Sequence, residues 1–317
     1  MITLIHKYAA TTFIEQLKHH VNDAWGLVSY ARIPIYLETS SAQLISFTAF
    51  LNLLEQAQTK LPTLSFIALV QKSADNFIDK ILSDTRQSPS LQRLAELIPV
   101  NAITVMPNVD GYSVELEIQQ QGQSLFLAEL YLLVVTHSYR RALYSDLSTP
   151  VKYHLTHPNV VDLEQLKVNN QTPQFLGQQR TALFYDKAIS PILGIDDVSP
   201  ARFDQTALSY SKQVSTVLEG YTGRETLSIE ELSLIIEVNE RTIQRRLKSE
   251  GTTFRKIKET SNMAFAKRVM VQRSASISDV AEHLGYADTS QFIRAFKRAE
   301  STTPLQWLKQ AEQSSTS

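Results

Sequence analysis

The chain has 317 residues, 43% hydrophobic and 20% charged, with a net charge of −1, which suits two ordinary domains with real cores. It has no cysteine, and this excludes disulfides, thiolate metal sites, cysteine redox sensing and cysteine nucleophiles. No apolar run reaches the ~18–20 residues that span a bilayer, and "MITLIHKYAATTFIEQ" lacks the apolar stretch and cleavage site of a signal peptide, so a cytoplasmic location and no membrane partner are expected. The charge is uneven. From Tyr221 onward there are 15 Lys and Arg against 12 Asp and Glu, a balance of +3, which leaves −4 for residues 1–220. The basic rear is a weak pointer to nucleic acid.

In chain order, "SSAQLISFTAFLNLLEQAQ" (40–58) has apolar residues at helical spacing, with Ser40 or Ser41 as its cap. "SLQRLAELI" (90–98) predicts a short helix stopped by Pro99. "GYSVELEIQQQGQSLFLAEL" (111–130) alternates and predicts a hairpin turning near Gly122. "ELYLLVVTHSYRRAL" (129–143) predicts a largely buried helix, and "VKYHLTH" (151–157) and "TALFYDK" (181–187) predict strands. Residues 1–198 are therefore expected to form an α+β domain. Phe126, Tyr131, Phe184 and Tyr185 are expected in its core, with an effector pocket as the alternative use. His154 and His157 fall on opposite faces of a strand, which is poor geometry for a metal.

"GIDDVSPARFD" (194–204) has Gly, Pro and acidic residues without periodicity and marks the boundary, with 199–203 as the linker. From Phe203 the pattern is helical, so residues 204–313 are expected to be an all-α domain and 314–317 a disordered tail.

Within that domain the chain repeats itself. Ile229, Leu232 and Ile236 match Ile277, Val280 and Leu284 at an offset of 48. Ile243, Arg245, Leu247 and Lys248 match Phe292, Arg294, Phe296 and Lys297 at an offset of 49. Each copy reads as two short helices around a tight turn, opened by Ser228 in one and by Ser276 or Ser278 in the other. That is a helix-turn-helix, whose second helix fits the DNA major groove. If Ile243, Leu247, Phe292 and Phe296 face inward, then Arg241, Gln244 and Arg245 face outward in the first copy, and Thr289, Gln291 and Arg294 in the second. Arg suits guanine O6/N7 and Gln suits adenine N6/N7. Arg246, Lys248, Lys297 and Arg298 are candidates for phosphate contact. The segment "TFRKIKETSNMAFAKRVMVQR" (253–273) predicts a helix joining units 228–249 and 276–299, with Phe254, Ile257, Ala264, Phe265 and Val269 as its apolar positions. Its length of ~30 Å compares with ~34 Å for one turn of B-DNA.

"RTIQRRLKSEGTTF" and "ISDVAEHLGYADTSQFIRAFKRAESTTPLQW" resemble the DNA-binding domain of AraC/XylS transcription regulators. The resemblance implies base-reading roles for Arg241, Gln244 and Arg245, and for Thr289, Ser290, Gln291 and Arg294. It also implies double-stranded DNA and RNA polymerase as partners. The chain departs from the family pattern at Ser301, where Gly is usual, at Asn262, where Arg is usual, and at Ser233, where Ala is usual. "TPVKYHLTHPNV…FLGQQRTALFYDKAISPIL" (149–193) resembles, more loosely, the arabinose-binding-like effector domain of ornithine-utilisation regulators. That implies a small-molecule effector and a homodimer. The alternative is a front domain that only dimerises or docks another protein, without a ligand. There is no Gly-rich phosphate loop, HExxH or GxSxG, so neither an enzyme nor a cofactor or metal is expected.

Overall fold

The computed structural model describes residues 1–34, 37, 42–84, 90–122, 124–144, 149–158, 172–186, 200–204, 208–222, 227–272 and 275–314. They divide into two compact units. One is drawn from the chain up to Ala207, and the other is Leu208–Ser317 together with Met1–Ile2 and Thr39–Ala42. Among the described residues no helix is long and apolar enough to cross a membrane.

The front unit is α+β. β1 (Leu4–His6) leads into α1 (Lys7–Leu17) and α2 (Ala24–Tyr30), and β2 (Leu44–Ser46) into α3 (Phe47–Lys60). β1 and β2 pair antiparallel, Ile5 opposite Ile45. Residues 40–41 lie outside the described set, and the cap of α3 is Ser46, whose hydroxyl accepts from the Ala49 amide at 3.3 Å. α4 (Thr63–Asp84) and α5 (Leu91–Leu97) follow, and Ser90 caps α5 by accepting from the Arg93 amide. Pro99 follows directly on the predicted helix end.

β3 (Val100–Asn108) and β4 (Gly111–Ile118) form the central hairpin, then α6 (Ser124–Tyr144), β5 (Lys152–His154), β6 (Gln174–Phe175), β7 (Thr181–Asp186) and β8 (Ala201–Asp204) complete the unit. These strands make a sheet of order β6-β5-β7-β4-β3-β8, antiparallel except where β5 meets β6. The hairpin predicted to turn near Gly122 is therefore corrected. β4 folds back on β3, Asn108 opposite Gly111, and the chain after Gly122 is helical. The reason lies in "SLFLAELYLLVV", whose polar residues Ser124 and Glu129 are too few to alternate with the apolar ones, so that it suits a helix buried nearly all round.

α6 is such a helix: every residue from Leu127 to Arg140 is buried. Burial at this density requires its polar groups to find partners. The Ser138 hydroxyl donates to Asp75 of α4 at 2.6 Å. Arg140 donates from Nε to the Tyr112 hydroxyl at 2.9 Å and stacks 3.9 Å from the Tyr185 ring centre. His137 lies 3.2 Å from the Tyr185 hydroxyl. Glu129 accepts from the backbone N–H groups of Thr156 (2.6 Å) and His157 (3.0 Å) and from the Thr181 hydroxyl. Of the four candidate core aromatics, Tyr131 and Tyr185 are fully buried, while Phe126 and Phe184 are half-buried against His157 and His154.

The boundary also differs from the expected 199–203 linker. Ala201–Asp204 pairs with β3 as an edge strand, and the division between units falls at Ala207 and Leu208. Its alternation is short but genuine, with Arg202 outward and bonded to Glu117 at 2.9 Å and to Asp204 at 2.8 Å. Helix, expected from Phe203, begins at Tyr210.

The rear unit is helical throughout its described residues: α7 (Tyr210–Tyr221), α8 (Ile229–Ile236), α9 (Glu240–Ser249), α10 (Phe254–Gln272), α11 (Ile277–His283), α12 (Thr289–Glu300) and α13 (Pro304–Ser314). In α10 the buried positions are Ile257, Ser261, Met263, Ala266 and Met270, whereas Ala264, expected inside, is exposed. α10 packs on helices to both sides of it, so its buried stripe is not the one that a single partner would select.

Glu129 holds two half-buried backbone amides and the buried Thr181 hydroxyl on one carboxylate. Glu129→Ala should destabilise the front unit by about 2–3 kcal/mol, read as a shift in the urea unfolding midpoint.

Candidate nucleic-acid interface

Each copy of the repeat is assembled from its caps inward. Ser228 and Glu231 form a reciprocal capping box at the start of α8, and Ser276 and Asp279 form the same box at the start of α11. Ser276 rather than Ser278 is thus the second cap. The turns then correspond at the offset of 48. Glu237 and Gly285 are both left-handed, with φ of 50° and 73°. The amides of Val238 and Tyr286 donate back to Ser233 and Ala281, bonds that satisfy the orphan carbonyls of a helix end. The next caps, Asn239 and Asp288, open α9 and α12 by accepting from Arg241 and Gln291 at 2.9 and 2.7 Å. Their offset is 49. The second turn holds one more residue, and this is where the register of the two copies changes.

The second helix of each copy is anchored by apolar side chains one turn apart. Ile243 and Leu247 of α9 are both fully buried, as are Phe292 and Phe296 of α12. Around the second pair, Met263, Ala266, Met270, Val280, Ala281 and Leu284 form one core, with Trp307 against its edge. Its aromatic rings meet edge-on, Phe292 to Phe296 at 5.8 Å and Phe296 to Trp307 at 6.2 Å. Pro304, buried at the first position of α13, starts the helix that brings Trp307 there.

With the anchors inside, the opposite faces are open. Arg241, Gln244 and Arg245 are exposed on α9, and Ser290, Gln291 and Arg294 are exposed on α12. The spacing within each set puts the side chains on one helix face. Thr289 is half-buried, its hydroxyl 3.4 Å from that of Ser278. Lys248 and Lys297 are exposed. Arg298 is exposed but reaches Glu259 at 3.4 Å. Arg246 is held differently from the other phosphate candidates: it is half-buried, with its guanidinium 5.2 Å from the Tyr210 ring centre.

Two features were not visible in the sequence. Glu250, the C-cap of α9, accepts from the backbone N–H groups of Tyr210 and Ser211, both at 2.8 Å. The bonds from Ser211, hydroxyl and amide, hold its carboxyl below the usual carboxylate range. Asn262, at the position where the resemblance implies Arg, is half-buried in α10.

Residues 232–310 match a family described as "Helix-turn-helix domain". The rear unit therefore carries a helix-turn-helix domain. Curated relatives include the HTH-type transcriptional activator CsvR of Escherichia coli, 31% identical over 128 residues, 40% of this chain and 46% of that protein. The Escherichia coli transcriptional activator AggR is 35% identical over 94 residues, 30% of this chain and 35% of that protein. The chain thus spans less than half the length of these relatives. A solved structure, the transcriptional regulator CdpR from Pseudomonas aeruginosa, aligns over 82% of this chain and 85% of its own at 22% identity, with a TM-score of 0.35, an overlap too loose to carry a conclusion.

The departure at Ser301 has a structural cost. Ser301 closes α12 with φ of 59° and ψ of 8°, a left-handed conformation that strains a side-chain-bearing residue and suits glycine. Ser301→Gly should raise the stability of the rear unit by about 0.5–1 kcal/mol, measured by thermal unfolding of the full chain.

Proposed function

We propose that this protein is a sequence-specific DNA-binding transcription regulator that activates promoters, as a homodimer, in response to a small molecule bound by the front unit. The observation that carries the reading is the pair of open faces, Arg241/Gln244/Arg245 and Ser290/Gln291/Arg294, each backed by its own buried anchors. α10, 19 residues long, supplies a spacer of ~28 Å, near the ~34 Å turn of B-DNA. Two heads in one chain then read successive major grooves on one side of the duplex, and the site within each half is asymmetric. Thr289 joins the second reading set, and Lys248, Lys297 and Arg298 supply phosphate contacts. Activation is the activity named for CsvR and AggR, and it brings RNA polymerase in as the partner at the promoter.

The effector reading is supported by the Tyr131 and Tyr153 hydroxyls, which are buried without a hydrogen-bond partner among the described residues and are the kind of group that a bound polar molecule satisfies. A second reading, a front unit that only dimerises or docks a protein, is favoured by Trp25 and Tyr30 of α2, large side chains left open to solvent.

Selection of bound sequences from a random DNA pool at fixed salt tests the proposal. Enrichment of two half-sites, each about two helical turns long, is expected. Arg245→Ala and Arg294→Ala should each cost about 1–3 kcal/mol on the selected site and relax preference at one or two base pairs in different parts of the half-site. Equal binding of all sequences by wild type and both variants would refute base reading by these faces.

A further inference from the structure

We propose that Glu250 is a positioning residue for the first reading helix, clamping the end of α9 to the start of α7; this rests on the DNA-reading function proposed above. The first N–H groups of a helix have no partner within it. In α7 they are filled from two directions. The Ser209 hydroxyl accepts from Lys212 in the ordinary local way. The amides of Tyr210 and Ser211 are taken by Glu250, one carboxylate oxygen each, from a residue forty positions later. A carboxylate at a helix N-terminus is doubly favoured, by charge-assisted hydrogen bonds and by the helix dipole.

One turn earlier on α9, Arg246 lies over the ring of the same Tyr210. The clamp therefore has two contacts on one side of α9, and its first member, Arg246, directly follows the reading residue Arg245. Two contacts a turn apart oppose rotation of α9 about its own axis, which is the motion that would turn Gln244 and Arg245 away from a base edge. The second reading helix ends in a clamp of different make: Glu300 of α12 binds Lys267 of α10 at 3.0 Å. Each head is thus oriented against a different helix, and loss of Glu250 should affect only one of them.

The test uses the full chain and the site that the wild type selects. The part read by α9 and the part read by α12 are first assigned with Arg245→Ala and Arg294→Ala, and each part is then scrambled in turn. Glu250→Ala should bind the intact site roughly tenfold more weakly, the equivalent of a lost charge-assisted hydrogen bond. It should no longer be penalised by scrambling the α9 part, yet should be penalised as the wild type is by scrambling the α12 part. Glu250→Gln, which keeps one acceptor oxygen and the same shape, should fall between them. Wild-type discrimination at both parts in these variants would overturn the proposal, and so would parallel loss of both parts, the mark of a merely structural cap. A wild-type chain that selects no sequence would overturn the DNA-reading function and this proposal together.

Discussion

Two buried side chains, one turn apart, determine what each reading helix can do. A helix with a single apolar anchor could roll. A pair at i and i+4 defines a line along the helix, and once that line is buried the facing side of the cylinder is settled. Ile243 and Leu247 do this for α9, and Phe292 and Phe296 for α12. The remaining features of the unit support that arrangement. The capping boxes start the scaffold helices, the left-handed residues at 237 and 285 bring the chain round, and Asn239 and Asp288 start the reading helices at a set phase. The second anchor pair is aromatic and sits in a core edged by Trp307.

The front unit rests on the opposite kind of constraint. Its central helix is buried over Leu127–Arg140 yet carries Glu, Thr, His, Ser and Arg in that stretch. Apolar burial alone would let α6 slide along its own axis. Glu129 at one end, tied to the residues after β5 and to β7, and Ser138 and Arg140 at the other, tied to α4 and to Tyr112, fix where it stops. Polar groups that must be satisfied specify position, whereas greasy ones specify only that the helix be inside.

Legibility in the sequence followed the range of the interactions involved. The rear helices and their turns are set within a few residues by caps, periodicity and Gly, and the repeat supplied a second reading of each. The open faces of α9 and α12 followed from the anchors for the same reason. In the front unit the hairpin was placed too late, because β3 reads as a strand only with β4 beside it and the apolar run after Gly122 imitates a continuing strand. β8 was taken for linker because four residues with one Phe carry little pattern without the neighbouring β3 edge. Glu250 and Arg246 look like two more charges on a solvated helix. Their partners lie about forty residues away, and nothing local distinguishes them from Lys248 or Glu240.

The residue gained in the second turn has a consequence for recombining the two heads. At 3.6 residues per turn, one residue is about 100° of rotation. A chimera that swaps α12 for α9 while keeping the phase of the first helices would put Gln291 in the buried place of Ile243 and Phe292 in the exposed place of Gln244. A transplant that joins cap to cap, Asp288 onto Asn239, preserves the phase. The two heads are therefore interchangeable as parts only when the seam is cut at the capping side chain, and the duplication has a grain along which alone it can be spliced.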